Sequence, residues 1–248
     1  MPTPLEILLD PVSLAVLAIY GALIFVEAVF PARALPQVPG WHARALVVFA
    51  VYFFLSSYLP LLWGDLLAPF RLVDLESVHP LVGSVVGVLF FEFLVYVWHR
   101  AMHKHHWLWR AFYFSPLDIV GFAMLSSITL TVVGLPAQSV TWYLYATMFL
   151  ATFQHTNIRT PQWLGYIVQR PESHSVHHGR GIHHYNFSDL PLFDLIFGTF
   201  RNPKDFVAEA GFEGVSSAQI LDMLACRDVA ARDFEQSVQP ATSSVAHS

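Results

Sequence analysis

Charge is scarce in this sequence. Only 12% of its 248 residues are Asp, Glu, Lys or Arg, about half the share of a soluble domain. Cysteine is scarcer: Cys226 stands alone, so neither an intrachain disulfide nor a cysteine-rich metal site is available. Any metal must be held by histidine and carboxylate. The net charge of −5 gives no electrostatic case for a nucleic-acid partner. No basic segment precedes the first apolar run, so a cleaved signal peptide is not expected. No His-Glu-x-x-His occurs, which removes the zinc metalloproteases, and no internal repeat is visible.

What the chain has instead is apolar surface and histidine. It is 55% hydrophobic, with a mean hydropathy of +0.50. Apolar runs cover Val12 to Phe30, Leu46 to Trp63, Leu81 to Trp98, Ile119 to Val133 and Ala137 to Phe153. Each approaches the ~20 residues that cross a bilayer, the fourth being the shortest. One such run could be a buried core helix of a soluble protein; five in succession argue against that. The composition and runs predict an all-α, multi-pass transmembrane helical bundle. Residues 1–153 hold about five spans, 154–205 a polar histidine-rich helical cap, and 206–248 a short helix (Ser216 to Arg227) and a flexible tail.

Basic residues orient the bundle. Arg33 and Arg44 lie between the first two runs, Arg100, Lys104 and Arg110 follow the third, and Arg159 and Arg170 follow the fifth. The segment between the second and third runs sets Arg71 against Asp65, Asp74 and Glu76. The C-terminus and histidine cap are therefore expected in the cytoplasm (in a bacterium, at the inner membrane), and the Gly134-Leu135-Pro136 turn on the opposite side. Trp107 and Trp109 read as interface anchors. Leu190 to Phe200 is apolar but too short to span, and is expected to pack on the membrane face or on the histidines.

Thirteen histidines gather mainly on the cytoplasmic side. His174, His177 and His178 stand at i, i+3 and i+4, on one face of a short helix opened by Pro171 and Glu172. A histidine-rich polar turn is the plainer alternative. His99, His103 and His106 share a face at the end of the third run, with Glu92 on the same stripe. That carboxylate either accepts a hydrogen bond from a ligand histidine or is paired within the bundle. His155 sits where the fifth run emerges and is either a ligand or a helix-end histidine. His105 points elsewhere; His42, His79 and His247 have no such company. Neutral imidazoles are ligands for iron, zinc and copper.

His99-x-x-x-His103, Gln154-His155-x-Asn157, His174-x-x-His177-His178 and the run Tyr185-Asn186-Phe187-Ser188-Asp189-Leu190-Pro191-Leu192-Phe193-Asp194 through Phe200 resemble the fatty acid hydroxylase/sterol desaturase superfamily. The resemblance extends from about Glu92 to Pro203. It implies membrane enzymes with a histidine-held di-iron centre that use O2 and two external electrons to hydroxylate or desaturate acyl chains and sterols. It maps His99, His103, His155, His174, His177, His178 and His183 onto metal-ligand positions, with His184 a less suited neighbour. It makes Glu92, Asn157 and Asp189 candidates for the hydrogen bonds behind the ligands. It implies two iron ions, a membrane lipid substrate and an electron-donor protein, since the chain shows no flavin or haem fingerprint.

One element of that pattern is missing. The family places a second His-x-x-His-His soon after a Leu-Trp-Arg like Leu108-Trp109-Arg110, where this chain reads Ala111-Phe112-Tyr113-Phe114-Ser115-Pro116. A deletion after Arg110 explains this better than substitution of the ligands. It leads to the expectation that one metal loses much of its ligand set. A degenerate, non-catalytic metal-binding member of the same family is therefore the competing reading. A bis-histidine haem protein is a third, and would place its histidines within facing helices rather than at helix ends.

Overall fold

A computed structural model describes residues 1–35, 40–105, 108, 117–180, 182, 184–211, 221, 222 and 225–227. His106, Trp107, Trp109, Arg110, the 111–116 segment, His183, His247, most of the 216–227 helix and the 237–248 tail lie outside the described residues.

Helix starts follow local chemistry. Thr3 and Glu6 form a reciprocal capping box that opens α1 (Pro4–Leu9). Asp10 then caps the Val12 amide and starts α2 (Pro11–Val29). Next come α3 (Trp41–Leu67), α4 (Pro80–Lys104), α5 (Asp118–Val132) and α6 (Ala137–Phe153). A 3-10 turn (Gln162–Tyr166) precedes two short helices, α7 (Pro171–His177) and α8 (Pro191–Phe197). The sheet consists of two-residue strands: β1 (Val73–Asp74) pairs in parallel with β2 (Val133–Gly134), Val73 facing Val133. His79, given no role by the sequence, caps α4 by accepting from the Leu81 amide.

The five long helices alternate in direction. At one end the Tyr58 hydroxyl donates to the Pro2 carbonyl, and the β1–β2 pairing sets the α5–α6 turn level with the α3–α4 connection. At the other end, the Ala32 amide donates to the Asn157 carbonyl and Arg33 Nη1 to the Val207 carbonyl. All six of the described cluster histidines lie at this second end. Among the described residues, three helical segments are long and apolar enough to cross a membrane: Pro11–Val29, His42–Phe70 and Pro80–Lys104. At ~1.5 Å per residue, α5 and α6 are about 22 and 26 Å long, slightly under the hydrocarbon thickness of about 30 Å. They form a hairpin that still reaches the far end. Ile24, Phe25, Leu46 and Val47 on α2 and α3 are each more than 60% exposed, as suits helices that face lipid.

The packed centre lies between α4, α5 and α6, around Phe91, Val95, Leu125 and Tyr143. Gly83 and Gly87 let α6 and the α5–α6 turn come close to α4. A Cβ on Gly83 would lie 2.5 Å from Ser139 Oγ, and one on Gly87 2.8 Å from Leu135. This small-residue spacing is a packing device of membrane helices. Leu190 to Phe200 packs on α4: the Phe197 ring stacks on Tyr96 with centroids 5.0 Å apart, and Phe193 meets Phe93 at 5.5 Å.

A reporter fused after Phe200 is expected to read as cytoplasmic, and one inserted at Leu135 as external. Both on the same side would overturn the alternating arrangement as a membrane topology.

Candidate metal centre

Three segments bring the histidines together. The last turns of α4 supply His99 and His103. The exit of α6 supplies His155. Helix α7 and its C-cap supply His174, His177 and His178. These six imidazoles form two groups of three, His99–His103–His177 and His155–His174–His178. Within each group the nearest ligand nitrogens all lie within 4.8 Å of one another. In the second group His174 Nε2 is 3.0 Å from both His155 Nε2 and His178 Nε2. Two nitrogens each ~2.1 Å from one ion, at about a right angle, are about 3 Å apart. The donor set therefore fits a transition metal.

The split within α7 follows from helix geometry. Each residue advances about 100°, so His177 and His178 point about 100° apart, on either side of His174. His177 turns toward α4, while His178 keeps company with His174 and His155. The spacing that suggested one ligand set thus serves two. The described histidines divide three and three, where the sequence led us to expect one depleted site. His105 is exposed at the α4 C-cap and His184 is exposed as well.

Main-chain carbonyls fix the rings. His99 Nδ1 lies 2.8 Å from the Phe187 carbonyl, His177 Nδ1 2.8 Å from the Tyr185 carbonyl, and His155 Nδ1 2.6 Å from the Ala151 carbonyl. A carbonyl only accepts, so each Nδ1 carries the proton and each Nε2 keeps its lone pair for the centre. Asn186 stands between the two outer carbonyls at φ 56°, a left-handed conformation that asparagine tolerates. Its Nδ2 donates to the Ser173 and Arg201 carbonyls and its Oδ1 accepts from the Arg201 amide. Asp194 accepts from the Phe187 and Ser188 amides and the Thr199 hydroxyl.

Helix α7 is itself anchored by charge. Arg170 and Glu172 are wholly buried and paired at 3.1 Å. Glu172 accepts from the Thr160 amide and hydroxyl, and Arg170 donates to Thr160, Asn202 and Pro203. Breaking such a buried pair costs about 3–5 kcal/mol.

Of the two readings of Glu92 the structure shows the partner within the bundle, and Asp189 and Asn157 likewise bond away from the imidazoles. Glu92 Oε2 accepts from the Asp189 and Leu190 amides. Asp189 Oδ1 accepts from Gln154 Nε2. Asn157 Nδ2 donates to the Arg33 carbonyl. Among the described residues none of the three bonds to an imidazole. They tie the cap to the bundle, because main-chain amides left open by the turn at Asp189 need an acceptor inside a dry core. Asn186 and Asp194, quoted only as part of a longer run, proved to be the residues behind the ligands. An asparagine between two aromatics, followed eight residues on by an aspartate, was the available signal.

Burial favours the neutral form of three of these rings. His155, His174 and His177 all have their proton affinity lowered, first by desolvation; for His174 and His177 repulsion from neighbouring imidazoles adds to it, and both fall well below the usual range. His155 retains accessible surface because it faces a cavity of about 770 Å³, which His99, His174 and His178 also line. The cavity runs between α1–α3 and α4–α6 and follows α6 from Val140 to Gln154, about 21 Å. Its walls are largely apolar.

The fatty acid hydroxylase family model matches residues 84–199, the segment that carries all six described ligand candidates. The chain is 28% identical over 164 residues to ornithine lipid hydroxylase OlsE of Rhizobium tropici, covering 57% of this chain and 49% of that protein. It is 25% identical over 164 residues to very-long-chain aldehyde decarbonylase GL1-4 of Oryza sativa subsp. japonica, covering 53% of this chain and 26% of that one. The chain thus spans about half the length of the first relative and a quarter of the second. No solved structure matches it.

Each of these lowered histidines binds fewer protons folded than unfolded at any pH between its own value and about 6.5. Stability of the metal-free chain should therefore fall as pH drops below about 6.5. The unfolding midpoint in detergent is expected to be lower at pH 5 than at pH 7.5, and less so in His174→Gln. Equal midpoints at the two pH values would contradict a neutral buried cluster.

Proposed function

We propose, on the premise that residues 84–199 belong to the fatty acid hydroxylase family, that this chain is a membrane oxidoreductase. It uses two histidine-held irons and O2 to hydroxylate or desaturate a lipid. The observation that carries the proposal is the pair of imidazole triads, each with at least one ring turned toward the group by a hydrogen bond from behind. His99, His103 and His177 would hold one iron, and His155, His174 and His178 the other. Iron there supplies O2-activating redox chemistry when bound.

The chain's own residues supply the rest. Apolar walls of α2, α3, α5 and α6 receive a long chain and exclude water from the histidine end. Asn186 and Asp194 hold the ligand-bearing turn. The relatives bear the names of enzymes acting on an ornithine lipid and on very-long-chain aldehydes, and a long apolar cavity suits that kind of substrate. Reducing electrons come from a separate donor protein, which meets the cytoplasmic face of the cap.

The degenerate, non-catalytic reading rests on one observation, the missing second box after Arg110. Metal counting separates the two. The enzyme is expected to bind two irons per chain, to show no Soret band, and to give an oxygenated or desaturated lipid with O2 and a reductant. His103→Ala and His178→Ala should each leave one iron, with turnover down by at least about a hundredfold, since partners behind ligands alone are worth 10–100-fold. One iron or none in the unaltered chain, with no product, would decide for the degenerate form.

A further inference from the structure

We propose that the histidine end of the cavity receives a hydrogen-bond-donating, cationic amine on an otherwise apolar lipid, with Asp118 and Gln154 as its acceptors. The proposal rests on the lipid-binding reading of the cavity and narrows it to one class of polar group.

Two atoms carry the argument. Asp118 Oδ1 and Gln154 Oε1 are shielded from solvent, have no hydrogen-bond partner, and belong to residues that line the cavity. Gln154 is only 5% exposed, and its amide nitrogen is already committed to Asp189 Oδ1. That bond sets the amide so that only the oxygen is left. Asp118 opens α5 one turn before Phe122, whose ring lies 6.3 Å from that of His99. Both acceptors therefore belong to the histidine end; the stretch around Val16, Leu130 and Leu144 is apolar, and Glu6, Asp10 and Ser13 line the opposite end.

A buried acceptor without a donor is costly, and more so for a carboxylate. The acceptors here want N–H groups, and an ammonium satisfies a carboxylate and an amide oxygen together. Among the described residues, the same end offers an anion no lysine or arginine. Asp118 and Asp189 both line it, so a fatty acid carboxylate would be brought against two carboxyl groups. An alcohol offers a single donor and falls between. The cavity thus discriminates by the polar end of the lipid rather than by its chain.

The test is binding, measured without turnover. The full chain in detergent, at high salt to screen its net negative charge, is titrated with a saturated amine, alcohol and carboxylic acid of one chain length. The amine is expected to bind about tenfold or more tighter than the acid, with the alcohol between. Asp118→Asn, which keeps the shape, should bring amine and acid within about twofold while leaving the alcohol's affinity unchanged. Equal binding of all three would overturn the amine proposal and leave the lipid cavity standing. No binding of any would overturn both. An amine preference that survives Asp118→Asn would show that it arises elsewhere. Should that variant fail to fold, the series on the unaltered chain decides alone.

Discussion

Two imidazoles from different helices point at one another because the carbonyls on either side of Asn186 hold them. Tyr185 receives the proton of His177 and Phe187 that of His99, so one left-handed residue sets rings from α7 and α4 at once. Asn186 does not achieve this through its own conformation alone. Its side chain closes on Ser173 at the start of α7 and on Arg201 beyond α8, and Asp194 holds the next amide. The turn is therefore tied to every element it must align. The energetic cost of a positive φ is of order 1–3 kcal/mol, and three buried hydrogen bonds from one side chain offset it.

Charge is used sparingly and in one place. The Arg170–Glu172 pair is wholly buried, and each partner finds further hydrogen bonds on Thr160 or Asn202. That satisfaction is what makes a buried pair tolerable, since desolvation otherwise exceeds the attraction. Arg159–Asp205 and Arg180–Glu209 lie near the same cap but are exposed, where water and salt screen such pairs and they add little. The first turn of α7 is thus fixed by a rigid ionic joint and its last residue by the Tyr185 carbonyl. Between these two points the three histidines of α7 and its C-cap have little freedom to turn.

Apolar patterning made the bundle readable. The run Val12 to Phe30 became α2 (Pro11–Val29), and Leu81 to Trp98 became the body of α4 (Pro80–Lys104). Continuation of α4 past its apolar part also followed from the His99–His103 spacing. What could not be read was partnership. Helical periodicity shows that His174, His177 and His178 share a face, but not that α4 approaches one edge of it and His155 the other. The roles of Glu92 and Asn157 were hidden for the same reason: their partners, the Leu190 amide and the Arg33 carbonyl, are 98 and 124 residues away. Gly83 and Gly87 went unread because two glycines in an apolar run carry no message until the helix they admit is known.

The missing second box takes on a different meaning once the histidines are sorted. On sequence alone, a set of ligands is gone and one metal should suffer. In the fold, α7 divides its histidines, so among the described residues each group has three imidazoles from two separate segments. Three protein ligands hold a metal in many catalytic sites, where the remaining position is left to water or substrate. The described histidines are thus shared between both groups rather than confined to one. An octahedral ion feels a shortage of ligands more than a tetrahedral one. The gap accordingly bears on which metal two such triads would favour, more than on whether the histidines gather into two groups.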